Sequence, residues 1–178
     1  MLDFETLKVC LPKANADKLK SYVSAINQTL SRFAINTPKR QAMFLAQVAH
    51  ESGEFRWMEE IWGPTPVQLR YEGRKDLGNI KPGDGFRYKG RGPIQLTGRN
   101  NYRAAGKALG VDLEGSPELA LEPTVAFAIA GWYWDSRKLN RMADTDDIIG
   151  VTKSINGGLT GIADRQAKWT HIKRVLGA

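Results

Sequence analysis

The apolar positions of this chain recur mostly at helical spacing. Between Ala16 and Ile35 they fall at Leu19, Tyr22, Val23, Ile26, Leu30 and Phe33, which is one stripe of a helix. Thr37-Pro38 then gives a start signal: a capping hydroxyl, followed by a proline whose fixed φ suits the first turn. The helix it opens runs through Met43, Phe44, Leu45, Val48 and Ala49. It is predicted to stop at Gly53, the residue best able to take a left-handed C-cap. Thr65-Pro66 and Ser116-Pro117 repeat the start signal. Pro123 begins a strongly apolar helix ending near Asp135. Thr145 is predicted to cap a helix to about Ile155. Thr160 is predicted to open the last helix, with Ile162, Gln166, Trp169, Ile172 and Leu176 along one stripe.

Between Leu77 and Gly92 the helical pattern fails. Gly78, Gly83, Gly85, Gly90 and Gly92 mark turns, and Phe86, Tyr88 and Ile94 suggest short strands. A long glycine-rich excursion inside a helical chain is usually functional. No linker, internal repeat or low-complexity segment divides the 178 residues. The expected organisation is one mainly helical domain over residues 1–178, with 1–36 as an N-terminal helical part of it.

Composition narrows the function. A net charge of +7 favours anionic partners, such as acidic wall polymers or anionic lipid. No basic run of five and no nucleic-acid motif occurs, so no nucleic-acid partner is expected. A single cysteine, Cys10, forms no internal disulfide and favours a reducing compartment. Met1-Leu2-Asp3-Phe4-Glu5 lacks a basic export-signal start. The most apolar run, Val125 to Trp134, is shorter than the ~18 residues of a membrane span. His50 and His171 are the only histidines, and no His-Glu-x-x-His occurs. Neither a metal nor a cofactor is therefore expected, and His50 reads as a structural hydrogen-bonding residue beside Glu51.

The carboxylates carry the chemistry. Glycosidic cleavage needs one acid to protonate the leaving oxygen and one base to activate water. Glu51 stands near the predicted C-terminal end of a helix, a place that suits a proton-donating acid. Glu59 and Glu60 follow. On one unbroken helix Glu51 and Glu60 would lie on opposite faces, ~13.5 Å apart along the axis. They can share a cleft only if the helix breaks, and Gly53 supplies the break. Thr97 is either an active hydroxyl or the N-cap of a helix from Gly98 to Leu109. Tyr88, Trp57 and Trp62 are either sugar platforms or core aromatics.

His50-Glu51-Ser52-Gly53, the Glu59-Glu60 pair, Gln95-Leu96-Thr97, Asn100-Asn101-Tyr102, Asn156-Gly157-Gly158 and Ala163-Asp164-Arg165 together resemble glycoside hydrolase family 19. That family holds plant-type chitinases and bacteriophage endolysins that cut peptidoglycan. The resemblance runs from about Gln41 to the C-terminus. It implies a mainly α, lysozyme-like α+β helical domain with a small Gly-rich β/loop region bordering the active-site cleft. It implies Glu51 as general acid, Glu60 as general base and Thr97 as the hydroxyl holding the attacking water. Gln95, Asn101, Asn156 and Tyr88 would bind substrate, and Arg165 would fix a carboxylate. Where the family commonly has Glu-Asn-Leu, this chain has Glu60-Ile61-Trp62, so Glu59 stands as the alternative base.

The expected function is a peptidoglycan-degrading endolysin that hydrolyses β-1,4 bonds between amino sugars with inversion and lyses a host cell. The rivals are a chitinase on the same scaffold and a non-catalytic wall-binding module. A monomer without cofactor is expected, held in the host cytoplasm until a holin opens the way to the periplasm and wall. Lys168, Lys173 and Arg174 accompany Arg165 on the last helix. They are expected to be exposed and to give weak contact with anionic wall or membrane, with Trp169 buried.

Overall fold

The computed structural model describes residues 1–178. Ten helices dominate it: α1 (Phe4–Cys10), α2 (Ala16–Arg32), α3 (Pro38–Ser52), α4 (Pro66–Leu69), α5 (Asp84–Arg87), α6 (Arg99–Leu109), α7 (Pro123–Ser136), α8 (Leu139–Asp144), α9 (Ile148–Asn156) and α10 (Ile162–Leu176). Two 3₁₀ turns, Lys75–Leu77 and Pro117–Leu121, complete the set. None of the helices is long and apolar enough to cross a membrane.

The start signals work unequally. The Thr37 hydroxyl accepts from the Arg40 N–H, and Gly53 closes α3 at φ 58°. Thr65 and Gln68 form a full capping box at α4. Ser116 makes no cap bond, and Pro117 opens only a 3₁₀ turn. Thr145 closes α8 instead of opening α9, because the Asp147 carboxylate takes the Gly150 N–H at 2.8 Å. Gly161, not Thr160, stands at the N-cap of α10.

The strands expected at Phe86, Tyr88 and Ile94 do not form. Phe86 lies in α5, and only single bridges pair Glu59 with Arg91 and Arg91 with Leu96. The reason is where the backbone N–H groups go. Glu72 accepts from Gly83 and Gly85, at 2.6 and 2.8 Å. Asp84 accepts from Ile80 and Lys81, at 3.1 and 3.0 Å. Carboxylates replace the partner strand that a ladder would need.

Two apolar cores lie against α7, which is apolar all round. Phe127, Ala130 and Trp134 join the larger core with α1, α2, α3, α8, α9 and α10. Ile129 joins the smaller one with Tyr88, Leu96, Tyr102, Ala105, Leu113 and Ala120. α2 and α7 approach closely because position 131 is bare: a Cβ there would sit 2.2 Å from the Phe33 ring. Polar groups pin the excursion onto the smaller core. Buried Arg99 pairs with buried Asp84 and, at 3.0 Å, with Glu114, which Arg103 also clamps at 2.6 and 2.7 Å.

Between Glu51 and Glu60 the chain reverses through three left-handed residues: Gly53 (φ 58°), Glu54 (φ 56°) and Phe55 (φ 67°). A bulky residue in that region is strained. Burial offsets the strain. Phe55 is 2% exposed and packs edge-on to Tyr22 and Phe127, with centroids 5.8 and 5.2 Å away. Its N–H donates to the Ser52 hydroxyl at 2.9 Å.

The C-terminal helix corrects an expectation. It packs on α3 with Ile172 fully buried, and Trp169 is half-buried against the larger core. Lys168 and Lys173 are not free cations. Lys168 pairs with Asp164 and Glu54 at 3.1 and 3.3 Å, and Lys173 pairs with Asp146 at 3.0 Å. Of the three, only Arg174 stands exposed without an ion pair, so the expected exposure of Lys168 and Lys173 does not hold. Its charges are spent on internal contacts.

Phe55→Ala is expected to lower unfolding stability in urea by about 3–5 kcal/mol, since it removes a packed ring and leaves the strained turn. A loss below about 1 kcal/mol would show that ring burial does not hold the reversal. A second expectation concerns acid. The Arg103 and Arg99 guanidinium groups pull the Glu114 carboxyl down to about 2 from 4.5, against a burial penalty. A lowered folded pKa stabilises above the unfolded value and is lost as pH falls toward the folded one. Urea midpoints should therefore fall between about pH 4.5 and about pH 2. The fall should be shallower in Glu114→Gln; equal slopes in the two proteins would remove Glu114 from the acid response.

Candidate active site

One wall of the site is built where α3 meets α10. Glu51, in the last turn of α3, has a side chain 24% exposed. It receives the guanidinium of Arg165, which is 2% exposed. Arg165 also donates to the Gln47 amide oxygen and, at 3.3 Å, to the Thr160 carbonyl. Gln47 lies one turn before Glu51 and donates on to the Thr152 hydroxyl of α9 at 3.2 Å. A buried cation costs several kcal/mol unless paired and hydrogen-bonded, and here it is both.

The neighbouring residues make a parallel pair. His50 Nδ1 lies 2.6 Å from the Asp164 carboxylate. The His50 ring sits over position 161, where a Cβ would come within 2.3 Å of it. Consecutive residues of α3 thus meet consecutive residues of α10. Burial works against the charge on Asp164, but the hydrogen bond to His50 and the Lys168 ammonium outweigh it and hold the carboxyl below its usual range.

The other wall comes from the excursion. The Glu60 N–H donates to the Gly90 carbonyl at 2.9 Å, and the Gly90 N–H returns a 2.9 Å bond to Glu60 Oε2. Glu60 Oε1 accepts from the Gln68 amide at 3.0 Å. The Tyr71 phenol is pushed up by burial and by the adjacent Glu60 charge. Position 90 carries no side chain, and three polar groups crowd the space a Cβ would fill: Gln95 Oε1 at 2.7 Å, with Glu60 Oε2 and Thr97 Oγ1 each at 3.4 Å.

Thr97 does not cap α6. Gly98 holds the N-cap position with no side-chain bond, and the Thr97 hydroxyl donates to the Gln95 carbonyl at 3.0 Å. Gln95 itself sits at φ 54°, its amide donating to Trp57 O and Gly92 O at 3.1 and 2.9 Å. The Asn101 amide donates to Thr97 O at 2.7 Å. Gln95, Thr97 and Asn101 line a cavity of about 290 Å³ with Trp132, Tyr133 and Ile155. The Tyr133 phenol is pushed up by burial, eased by Arg137 and raised further by the Glu51 charge.

Of the two alternative bases, Glu59 turns elsewhere. Its carboxylate meets Lys89 and Arg91, at 3.2 and 3.3 Å. Glu60 is the one placed with Thr97 and Gln95. Asn156 stands exposed at the end of α9, its amide donating at 3.1 Å to the same Thr160 carbonyl that holds Arg165. Tyr88 requires a correction. It is 1% exposed, packs on Tyr102 and donates its hydroxyl to Glu114 O at 2.9 Å, so it is a core residue and not a sugar platform. Trp57 is 46% exposed, while Trp62 stacks edge-on with Phe86.

Sequence reasoning missed Gln47, Gln68 and Tyr133. Gln47 was visible as the lone polar residue in the apolar run Met43–Ala49. Gln68 was visible as the last residue of the Thr65-x-x-Gln68 capping box. Tyr133 carried no signal, because nothing along the apolar α7 marks which residue faces a cleft.

The mainly helical fold, with two polar clusters that each hold a carboxylate, is that of a lysozyme-like glycosidase, whose chemistry uses two such groups. The family model described as chitinase class I, glycoside hydrolase family 19, matches residues 19–172. The chain belongs to that family, and it is a glycoside hydrolase. A Haemophilus influenzae glycosyl hydrolase family 19 domain-containing protein is 34% identical over 174 residues, covering 83% of this chain and 85% of that one. An Arabidopsis thaliana endochitinase is 39% identical over 136 residues, covering 75% of this chain and 45% of the relative, so the chain spans less than half of that plant protein. Among solved structures, chitinase C of Streptomyces griseus superposes with a TM-score of 0.81 at 27% identity, over 99% of this chain and 76% of that one.

Replacement of Glu51 is expected to separate chemistry from stability. Glu51→Gln keeps an acceptor for Arg165 but donates no proton to a leaving oxygen, so activity should fall by roughly 10²–10⁴-fold in a folded protein. Glu51→Ala should also destabilise, toward the lower end of about 3–5 kcal/mol, because it strands a buried guanidinium that still keeps Gln47 and Thr160. Near-wild-type turnover by folded Glu51→Gln would remove Glu51 from the reaction.

Proposed function

We propose that this glycosidase is a peptidoglycan-cutting endolysin that hydrolyses the β-1,4 bond between amino sugars in one inverting step. Glu51 gives its proton to the glycosidic oxygen as the bond to the anomeric carbon breaks. Glu60 takes a proton from water as the water oxygen bonds to that carbon on the opposite face. Thr97 orients the water, and Gln95, Asn101 and Asn156 hydrogen-bond the sugars. Arg165 fixes Glu51 and takes no proton. The convergence of Glu60, Thr97 and Gln95 around bare Gly90 is the observation that carries this reading.

The net charge of +7 supports an anionic wall polymer over neutral chitin. Cys10 supports synthesis in a reducing compartment: it is buried, unpaired, and pushed up to about 11 by burial. In this reading a monomer waits in the host cytoplasm and reaches the periplasmic wall once a holin opens the membrane. A second reading, a chitinase on the same scaffold, is favoured by the names of the plant and Streptomyces relatives. Both polymers share the linkage.

Permeabilised Gram-negative cells and a soluble chitin oligomer, tested side by side, discriminate. Clearing of the cell suspension with slower oligomer cleavage is the expected result. Oligomer cleavage with intact walls would make the protein a chitinase, and binding to walls without product from either would make it a wall-binding module.

A further inference from the structure

We propose that Gln68 is a positioning residue that fixes the carboxylate of Glu60. The proposal rests on Glu60 acting as the base. Gln68 is 5% exposed, on a four-residue helix that adds nothing to either apolar core. A buried amide there must have a polar purpose.

Its four hydrogen bonds use the whole amide. The Oε1 atom accepts from the N–H of Thr65 at 2.8 Å and of Gly63 at 3.2 Å. The Nε2 atom donates to Ile61 O at 2.7 Å and to Glu60 Oε1 at 3.0 Å. Backbone N–H groups only donate, so the oxygen must face them, and the NH₂ must face Glu60. The amide cannot flip without setting donor against donor on one side and acceptor against acceptor on the other. The capping box therefore does two things at once. It starts α4, and it locks the donor that meets the carboxylate.

Glu60 is then held at both oxygens. Gln68 takes Oε1 and the Gly90 N–H takes Oε2. A carboxylate gripped in this way cannot rotate its reactive oxygen away from the space beside Thr97 Oγ1 and Gln95 Oε1. Misplacement of a reacting group costs rate even where substrate still binds. Gln68 touches neither sugar nor water in this scheme; its influence passes through Glu60.

The test is kinetic, on the full chain, with solubilised peptidoglycan strands as substrate, or the chitin oligomer if that is the polymer cut. Gln68→Glu keeps an oxygen for the Thr65 and Gly63 N–H groups but offers Glu60 an acceptor where it had a donor. The expected kcat falls about 10–100-fold, the worth of a hydrogen bond to a charged group. KM should stay within about twofold. Thr65→Val removes the other half of the capping box without touching Glu60, and its kcat should stay within about twofold of wild type. Added to Glu60→Gln, Gln68→Glu should cost almost nothing further.

Wild-type kcat in Gln68→Glu, with Glu60→Gln inactive, would overturn the positioning role and leave Glu60 as the base. An equal kcat loss in Thr65→Val would also overturn it, by assigning the effect to α4 as a whole. Full activity in Glu60→Gln would instead overturn the base assignment, and this proposal with it.

Discussion

The buried guanidinium of Arg165 sets the terms for half of this molecule. A cation that is 2% exposed must be met on all sides, and its partners come from two segments: Glu51 and Gln47 from α3, the Thr160 carbonyl from the turn before α10. Gln47 in turn reaches Thr152 on α9. Satisfying one charge thus fixes three helices around Glu51. The apolar contacts of Ile172 and Trp169 bring α10 to α3, but such contacts tolerate sliding. Directional bonds to a planar guanidinium do not, and the adjacent His50–Asp164 pair adds a second fixed point one residue away.

The opposite wall obeys a different logic. Around Glu60 only the smaller core lies beneath the chain, and the excursion is held onto it by carboxylates and amides bonding backbone N–H groups. Glu72, Asp84, Glu60 and Gln68 each accept backbone N–H groups that a strand or helix would otherwise have satisfied. This is why a segment without regular structure can still place a side chain. The glycines matter where something comes close: at Gly90, a side chain would occupy the space that Glu60, Gln95 and Thr97 face.

How much of this was legible follows from the range of each interaction. α2, α3 and α10 were readable because an apolar stripe is a local pattern and each helix buries one, and α7 because its apolar run follows a proline start. Thr37 and Thr65 were readable as caps because the bond spans three residues. Thr145 failed because Asp147, two residues on, competes for the same task with a stronger acceptor. The basic face of α10 failed because its partners, Glu54 and Asp146, lie far away in sequence. Tyr88 failed for the same reason, its burial depending on Tyr102 and Glu114. The carboxylates, hydroxyl and amides of the site were found through motifs, whereas their geometry rests on long-range pairs such as Glu51–Arg165 that no local rule supplies.

The two carboxylates are thereby held by unlike means, and the roles proposed for them, acid for Glu51 and base for Glu60, give a reason for the difference. An acid that loses and regains its proton each cycle changes charge, and a fixed cation beside it keeps its geometry in both states. Arg165 never titrates, so it serves that purpose. A base that must take a proton from water needs its lone pairs aimed, and neutral donors aim them without adding a full charge. The Gln68 amide and the Gly90 N–H are such donors. The Glu51 side is anchored in the larger core, while the Glu60 side is hung on hydrogen bonds over a smaller one.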